Sequence, residues 1–495
     1  MLLITYRNML RSFLVIPALV LLASRLFGQG LDLQVDMNGH GKPGDTVLLA
    51  YYYKDGRYVA DSGFVDSKGH VRYQQEKPLM KGVYLLIWGN DYIDILLGED
   101  QDFKLKIGEK DYSGESTVKG APECADFLRL QVHLRNAQQA SRKAYQLDSL
   151  ALSALKARGD TLANGSKKRP PHPGDSLRKA SDEAFNAYMD TLKAKYNGHF
   201  LWTFAKTLLP IHIPTPPDEI THSPKADSLT LVWQFYYNLH HYMDNYDLAS
   251  PDLLRTPNLY ARINYFLDHL IAPMPDTISL YCDRLMEAAA PNDTTLEYMG
   301  LNLLNKYQLS EIMGQDAIFV HLAEKYFLNK RIDVLSEETM GKLRDRVEKL
   351  KPNLIGQTAP DFTVETLYQT SYTLSQDKAK AFVLVFWEPS CPHCKVLVPK
   401  LDSVCQPLVK KGVHIIGFMT QGDGPKWLEY VQEHKLSQWT HVWDPYRKSN
   451  FSDNYDIYST PVIYILDQTH KIVAKRIGVE NVQPLLDIIL EEGKP

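Results

Sequence analysis

The sequence predicts a multidomain chain of three parts: an N-terminal all-β sandwich, a central all-α region and a C-terminal α/β domain. Three observations carry this. Short β-branched and aromatic runs separated by turn residues fill 31–122, and stretches with apolar residues at helical spacing fill 123–350. In 351–495, an uninterrupted apolar run at 382–386 leads into two cysteines at C-x-x-C spacing.

In the first part, residues 45–52, 57–65, 71–74, 83–88, 93–97 and 103–107 read as strands. Between them stand Lys54-Asp55-Gly56, Ser67-Lys68-Gly69 and Gly89-Asn90-Asp91, turn chemistry that supplies positive φ. Strands this short at this spacing point to a small sandwich. In the second part, 176–195 contains neither glycine nor proline, and 229–247, 258–271, 278–289, 296–307 and 317–328 follow as helices. Prolines at 210, 214, 216, 217, 273 and 275 interrupt them, and 165–174 reads as a loop. In the third part, 382–386 and 413–419 read as buried strands, with helices after the cysteines and over 425–434. A strand pair at 462–466 and 472–476 and a last helix at 482–490 complete the order of elements found in thioredoxin.

The 495 residues are 44% hydrophobic and 23% charged with a formal net charge of -4, which supplies no field for nucleic acid or an anionic membrane. Arg7 and Arg11 precede an apolar run at 13–23 broken only by Pro17, so 1–28 reads as a secretory signal peptide with cleavage near Gly28, the alternative being an uncleaved anchor and the one membrane contact the sequence leaves open. No later segment approaches the ~20 apolar residues of a membrane helix. Five cysteines are too few for a disulfide-stapled scaffold of this length.

Cys391-Pro392-His393-Cys394 follows a strand and opens a helix. A disulfide exchanger needs one accessible, acidic thiol and a second thiol near enough to resolve the mixed disulfide. The positive end of a helix favours thiolate at the first position, so Cys391 is the expected nucleophile and Cys394 the resolving thiol. His393 is expected to place a donor or a positive charge beside Cys391, which makes the couple more oxidising. A zinc site would need two more ligands, for which only Cys405 and His414 offer themselves. A covalent haem would need His where Lys395 stands. No metal or cofactor is expected.

Gly356-Gln357-Thr358-Ala359-Pro360-Asp361-Phe362, then Phe386-Trp387-Glu388-Pro389-Ser390-Cys391-Pro392-His393-Cys394, then Thr460-Pro461 together resemble the TlpA/ResA group of envelope thioredoxin-like proteins. Residues 258–270 and 305–326 resemble Gram-negative envelope proteins in which unassigned sandwich and helical regions precede such a domain. The resemblance implies a periplasmic exchanger of protein disulfides, with protein thiol substrates, a redox partner protein and a cis bond at Thr460-Pro461 that leaves residue 460 as an edge for extended substrate. Two departures stand out. The pair between the cysteines is Pro-His, and Val385 occupies the place of thioredoxin's buried acid. Glu388 is the nearest carboxylate and is expected to accept the proton of Cys394.

Two other functions remain open from sequence. A peroxiredoxin-like thiol peroxidase would share Ala359-Pro360-Asp361-Phe362, but Leu384 and Glu388 stand where its Pro-x-x-x-Thr-x-x-Cys needs proline and threonine. An envelope binding protein would use the N-terminal domains to recognise a partner. Cys124, Cys282 and Cys405 read as buried residues, and His240, His241, Asp244, His321 and Glu324 as ordinary helix residues.

Overall fold

A computed structural model describes residues 30–157 and 172–492. The expected signal segment, with Arg7 and Arg11, and the basic cluster Lys167-Lys168-Arg169 lie outside the described residues. Two compact units emerge, one ending at Asp247 and adding Asp252–Arg262, the other holding Leu248–Pro251 and Ile263 onward. The helical stretch is thus divided between them.

The first unit begins with eight strands: β1 (Asp32–Asp36), β2 (Thr46–Tyr53), β3 (Gly56–Phe64), β4 (His70–Gln74), β5 (Gly82–Trp88), β6 (Asp91–Leu97), β7 (Asp102–Lys106) and β8 (Thr117–Lys119). They form two four-stranded sheets of order β4-β1-β7-β8 and β3-β2-β5-β6. The period-2 pattern decides the buried face, because Leu33 and Val35, Val71 and Tyr73, and Phe103 and Leu105 turn inward while their neighbours are polar. Those residues share one core with Leu49, Tyr84 and Ile95 of the other sheet and with Phe127 and Leu192 of two helices. The helices are α1 (Pro122–Ala157), α2 (Asp175–Tyr196), α3 (Phe200–Ala205), α4 (Asp218–Thr221) and α5 (Ala226–His241). Strands β1 and β8 are not predicted from the sequence, because their five and three residues carry too few apolar positions to announce a strand.

In the second unit α6 (Leu259–Tyr265, begun in the first), α7 (Pro275–Ala289), α8 (Asp293–Gln308), α9 (Asp316–Leu322) and α10 (Glu337–Leu350) precede the α/β domain. The turns after α6 and α9 widen to π-helix over Phe266–Leu270 and Ala323–Leu328. The last helix was missed from sequence. Ser336 caps it by accepting from Thr339 N, and its inner face is Met340, Leu343, Val347 and Leu350.

The α/β domain adds β9 (Thr363–Thr366), β10 (Ser371–Thr373), β11 (Ala381–Trp387), α11 (Pro392–Val409), β12 (Val413–Met419), α12 (Gly424–Glu433), β13 (Thr440–Trp443), α13 (Phe451–Asn454), β14 (Val462–Asp467), β15 (Ile472–Lys475) and α14 (Val482–Glu492). One sheet of order β10-β9-β13-β12-β11-β14-β15 results. Every residue of β11 is buried. Ala381, Val383, Val385 and Trp387 face a core with α11, α12 and α14, and Phe382, Leu384 and Phe386 face a second core on the other side. Burial on both faces explains why the strand reads as a continuous apolar run. β11 ends three residues short of Cys391, and that placement delivers the cysteines to the start of α11.

Candidate active site

Cys391 is the N-cap of α11, with Pro392 in the first helical turn where a missing N–H costs nothing. Cys391 Sγ accepts from Cys394 N at 3.4 Å and faces the carbonyl of Thr460, also at 3.4 Å. Its burial is partial and Cys394 is fully buried. That partial burial works against a charge on Cys391. The backbone N–H groups of Cys394 and His393, the Cys394 thiol and Thr460 outweigh it and hold the Cys391 thiol below its ordinary value. Burial pushes the Cys394 thiol up to about 12, and a charge on Cys391 adds to the rise. The two sulfurs are therefore one turn apart with opposite character.

Thr460-Pro461 is cis and precedes β14. The Thr460 hydroxyl donates to Glu388 Oε1 at 2.9 Å. The carboxylate of Glu388 is thus engaged with Thr460, and the backbone N–H of Glu388 is the part that lowers Cys394. His393 also reaches the sulfur through its backbone, and its ring is exposed. Both residues are expected from sequence to act through their side chains, whereas the groups that reach the sulfurs are their amides, which no residue type reveals. Pro392 is exposed beside the thiol.

Residues 355–475 match the family described as AhpC/TSA. The thioredoxin-like protein YneN of Bacillus subtilis is 26% identical over 124 residues, 25% of this chain and 71% of YneN. A domain of a possible thiol-disulfide isomerase from Cytophaga hutchinsonii is 32% identical, covering 28% of this chain and 95% of that domain with a TM-score of 0.27. A thioredoxin-like protein from Bacteroides caccae is 18% identical, covering 57% of this chain and 99% of its own, with a TM-score of 0.44. The chain belongs to the thioredoxin-like thiol–disulfide oxidoreductases.

In this thioredoxin-like chain the other cysteines stand apart from the site. Cys405 lies in the core beneath α11, and burial raises the thiols of Cys124, Cys282 and Cys405 to about 12. His414 Nδ1 is bonded to Asp377 at 2.7 Å. His321 bonds Asp283 at 2.9 Å, and His241 bonds Asp244 at 2.6 Å. Among the described residues no group of three or more His, Cys, Asp or Glu is arranged to hold a metal ion. No helix among them is long and apolar enough to cross a membrane.

Proposed function

We propose that the protein exchanges disulfides with cysteine-bearing proteins of the cell envelope through the Cys391–Cys394 couple. The Cys391 thiolate attacks a substrate disulfide and releases one substrate sulfur as thiolate. Cys394 then attacks Cys391, closing the internal disulfide and releasing the second sulfur, and a redox partner protein reduces the pair again. Run backwards, the same steps oxidise a dithiol. Residue 460 offers its backbone edge to an extended substrate segment beside Pro461. The reading takes 1–28 as an export signal, 31–122 as a β-sandwich domain, 123–350 as a helical domain and 351–495 as the redox domain, in the TlpA/ResA manner.

One observation carries the reading. A partly exposed thiol caps a helix and is acidified by N–H donors, with a second thiol one turn deeper. Stabilised thiolate favours the reduced form, so the couple should be more oxidising than the ~ -270 mV of thioredoxin. Reduction of insulin by dithiothreitol should be accelerated by the wild type and not by Cys391→Ala. Equal rates for the two proteins would defeat the proposal.

The AhpC/TSA match also favours a second reading, thiol peroxidase. Against it, Leu384 lies in the buried strand and Glu388 is bonded to Thr460. Peroxide consumption that depends on Cys391 would establish it.

A further inference from the structure

The core under the redox pair contains polar atoms that no described residue pairs. Val385, Gly417 and His441 lie side by side across β11, β12 and β13. Gly417 lies against two of these atoms, because a Cβ built on it would stand 3.1 Å from Trp387 Nε1 and 3.1 Å from His441 Nδ1, with Trp439 Cε3 at 3.0 Å on its remaining side. Those nitrogens, Trp427 Nε1 and Tyr430 Oη are all buried without a hydrogen-bond partner among the described residues. Their rings are neighbours, with centroids 5.1 Å apart for Trp387 and Tyr430, 6.5 Å for Trp387 and His441, and 6.2 Å for Trp427 and His441. Cys394 packs into the same core as Trp387, Trp427 and Tyr430.

The chemistry of the four atoms is complementary. His441 Nε2 donates to Leu436 O at 2.8 Å, so in the neutral ring Nδ1 is an acceptor. Burial lowers the His441 pKa to about 4, which keeps the ring neutral at pH 7. The indole N–H groups and the Tyr430 hydroxyl are donors. Buried polar atoms left over by the protein are the usual partners of an ordered water, which would accept from Trp387 and donate to His441. Burial raises the Tyr430 phenol, and a charge on Cys394 raises it further, so the two groups sense each other.

We infer that Trp387, Tyr430 and His441 build a water site beneath Cys394, and that Tyr430 and this water solvate the Cys394 thiolate during resolution. The inference rests on the disulfide-exchange reading. Cys394 loses its proton to solvent base, and its sulfur bonds to Cys391 Sγ. The bond from Cys391 to the substrate sulfur breaks, and the electron pair leaves with that sulfur, which then takes up a proton. Tyr430 keeps its own proton throughout and is a positioning residue. The other titratable groups facing this region are Cys391, Glu388 beside Thr460, Glu433 near Tyr430, and His434, whose ring stacks on Tyr430 with centroids 4.0 Å apart. Asp402, near His441, is engaged by Trp439 Nε1 at 2.8 Å and Gln406 Nε2 at 2.7 Å.

The test is stopped-flow reaction of the reduced full-length protein with dithionitrobenzoate. One thionitrobenzoate leaves when Cys391 attacks, and a second leaves when Cys394 resolves the adduct. Tyr430→Phe should leave the first phase unchanged, slow the second about tenfold and move its pH profile about one unit upward. Gly417→Ala, whose methyl would press on Trp387 Nε1 and His441 Nδ1 as well as on the Trp439 ring, should slow the second phase in the same way. Thermal midpoints of both variants report on folding. An unchanged second phase and pH profile in folded Tyr430→Phe overturns the water site. Absence of the second phase in the wild type overturns the exchange reading instead.

Discussion

Two helices of this chain carry both a proline and a cysteine in their opening turn, with opposite consequences. In α1 the order is Pro122-Glu123-Cys124, and in α11 Cys391 caps the helix ahead of Pro392. Both sulfurs lie at the positive end of a helix. Cys124 is fully buried, and burial with the neighbouring Glu123 lifts its thiol to about 12 although a backbone N–H of Leu96 opposes the rise. Cys391 is partly exposed and collects N–H donors from its own helix, and its thiol falls. A helix start is therefore insufficient. The acidic thiol needs the cap position, donors aimed at the sulfur and solvent access together.

The sharpest way to break this comparison is to label both thiols in the reduced native protein. Iodoacetamide at pH 7 should modify Cys391 roughly a thousandfold faster than Cys124, because thiolate fraction and access act in the same direction. Peptide mass spectrometry of a time course reads both rates, and comparable rates would remove the distinction.

Burial acts on His441 as it does on Cys124, by disfavouring the charged form. The folded pKa is about 4, and the unfolded chain takes up the proton near ~6.5. The contribution to stability is complete above ~6.5 and is lost as pH falls to about 4, a loss on the order of 3 kcal/mol. Urea unfolding of the wild type and His441→Gln across this window should show the larger decline for the wild type. Parallel declines would mean that the buried imidazole is not the linked group.

Thr460 is predicted to have the next largest effect. Its side chain helps to lower Cys391, so Thr460→Val should move the inflection of Cys391 alkylation upward and slow labelling at pH 6 by up to about tenfold. An unshifted inflection would leave the N–H donors of α11 as the whole cause.

What was legible in the sequence was local. The apolar run that becomes β11 and the cysteine spacing after it are read within a dozen residues, and burial on both faces leaves a plain trace. Strands β9, β10 and β13 escaped, since Thr-Val-Glu-Thr, Ser-Tyr-Thr and Thr-His-Val-Trp owe their state to pairing with neighbours. The sulfurs' donors were hidden for another reason, because backbone N–H groups are the same in every residue but proline. The orphan atoms of Trp387, Tyr430 and His441 come from a strand, a helix and another strand, and two of them close on Gly417, which has no side chain to meet them.

Glu388 gives the smallest expected effect and the finest distinction. If its carboxylate serves as the proton acceptor of Cys394, Glu388→Gln removes a base and should slow resolution more as pH falls. The hydrogen bond from Thr460 favours a different use, because a glutamine oxygen still accepts that hydroxyl and the backbone N–H facing Cys394 is untouched. On that account Glu388→Gln changes the resolution rate by less than about threefold at any pH, whereas Glu388→Ala, which frees the Thr460 hydroxyl, costs about tenfold. Resolution kinetics of the two variants at pH 6 and 8 separate the roles. A pH-dependent loss in Glu388→Gln alone would return the carboxylate to proton transfer, while a loss confined to Glu388→Ala assigns it to holding residue 460 against Cys391.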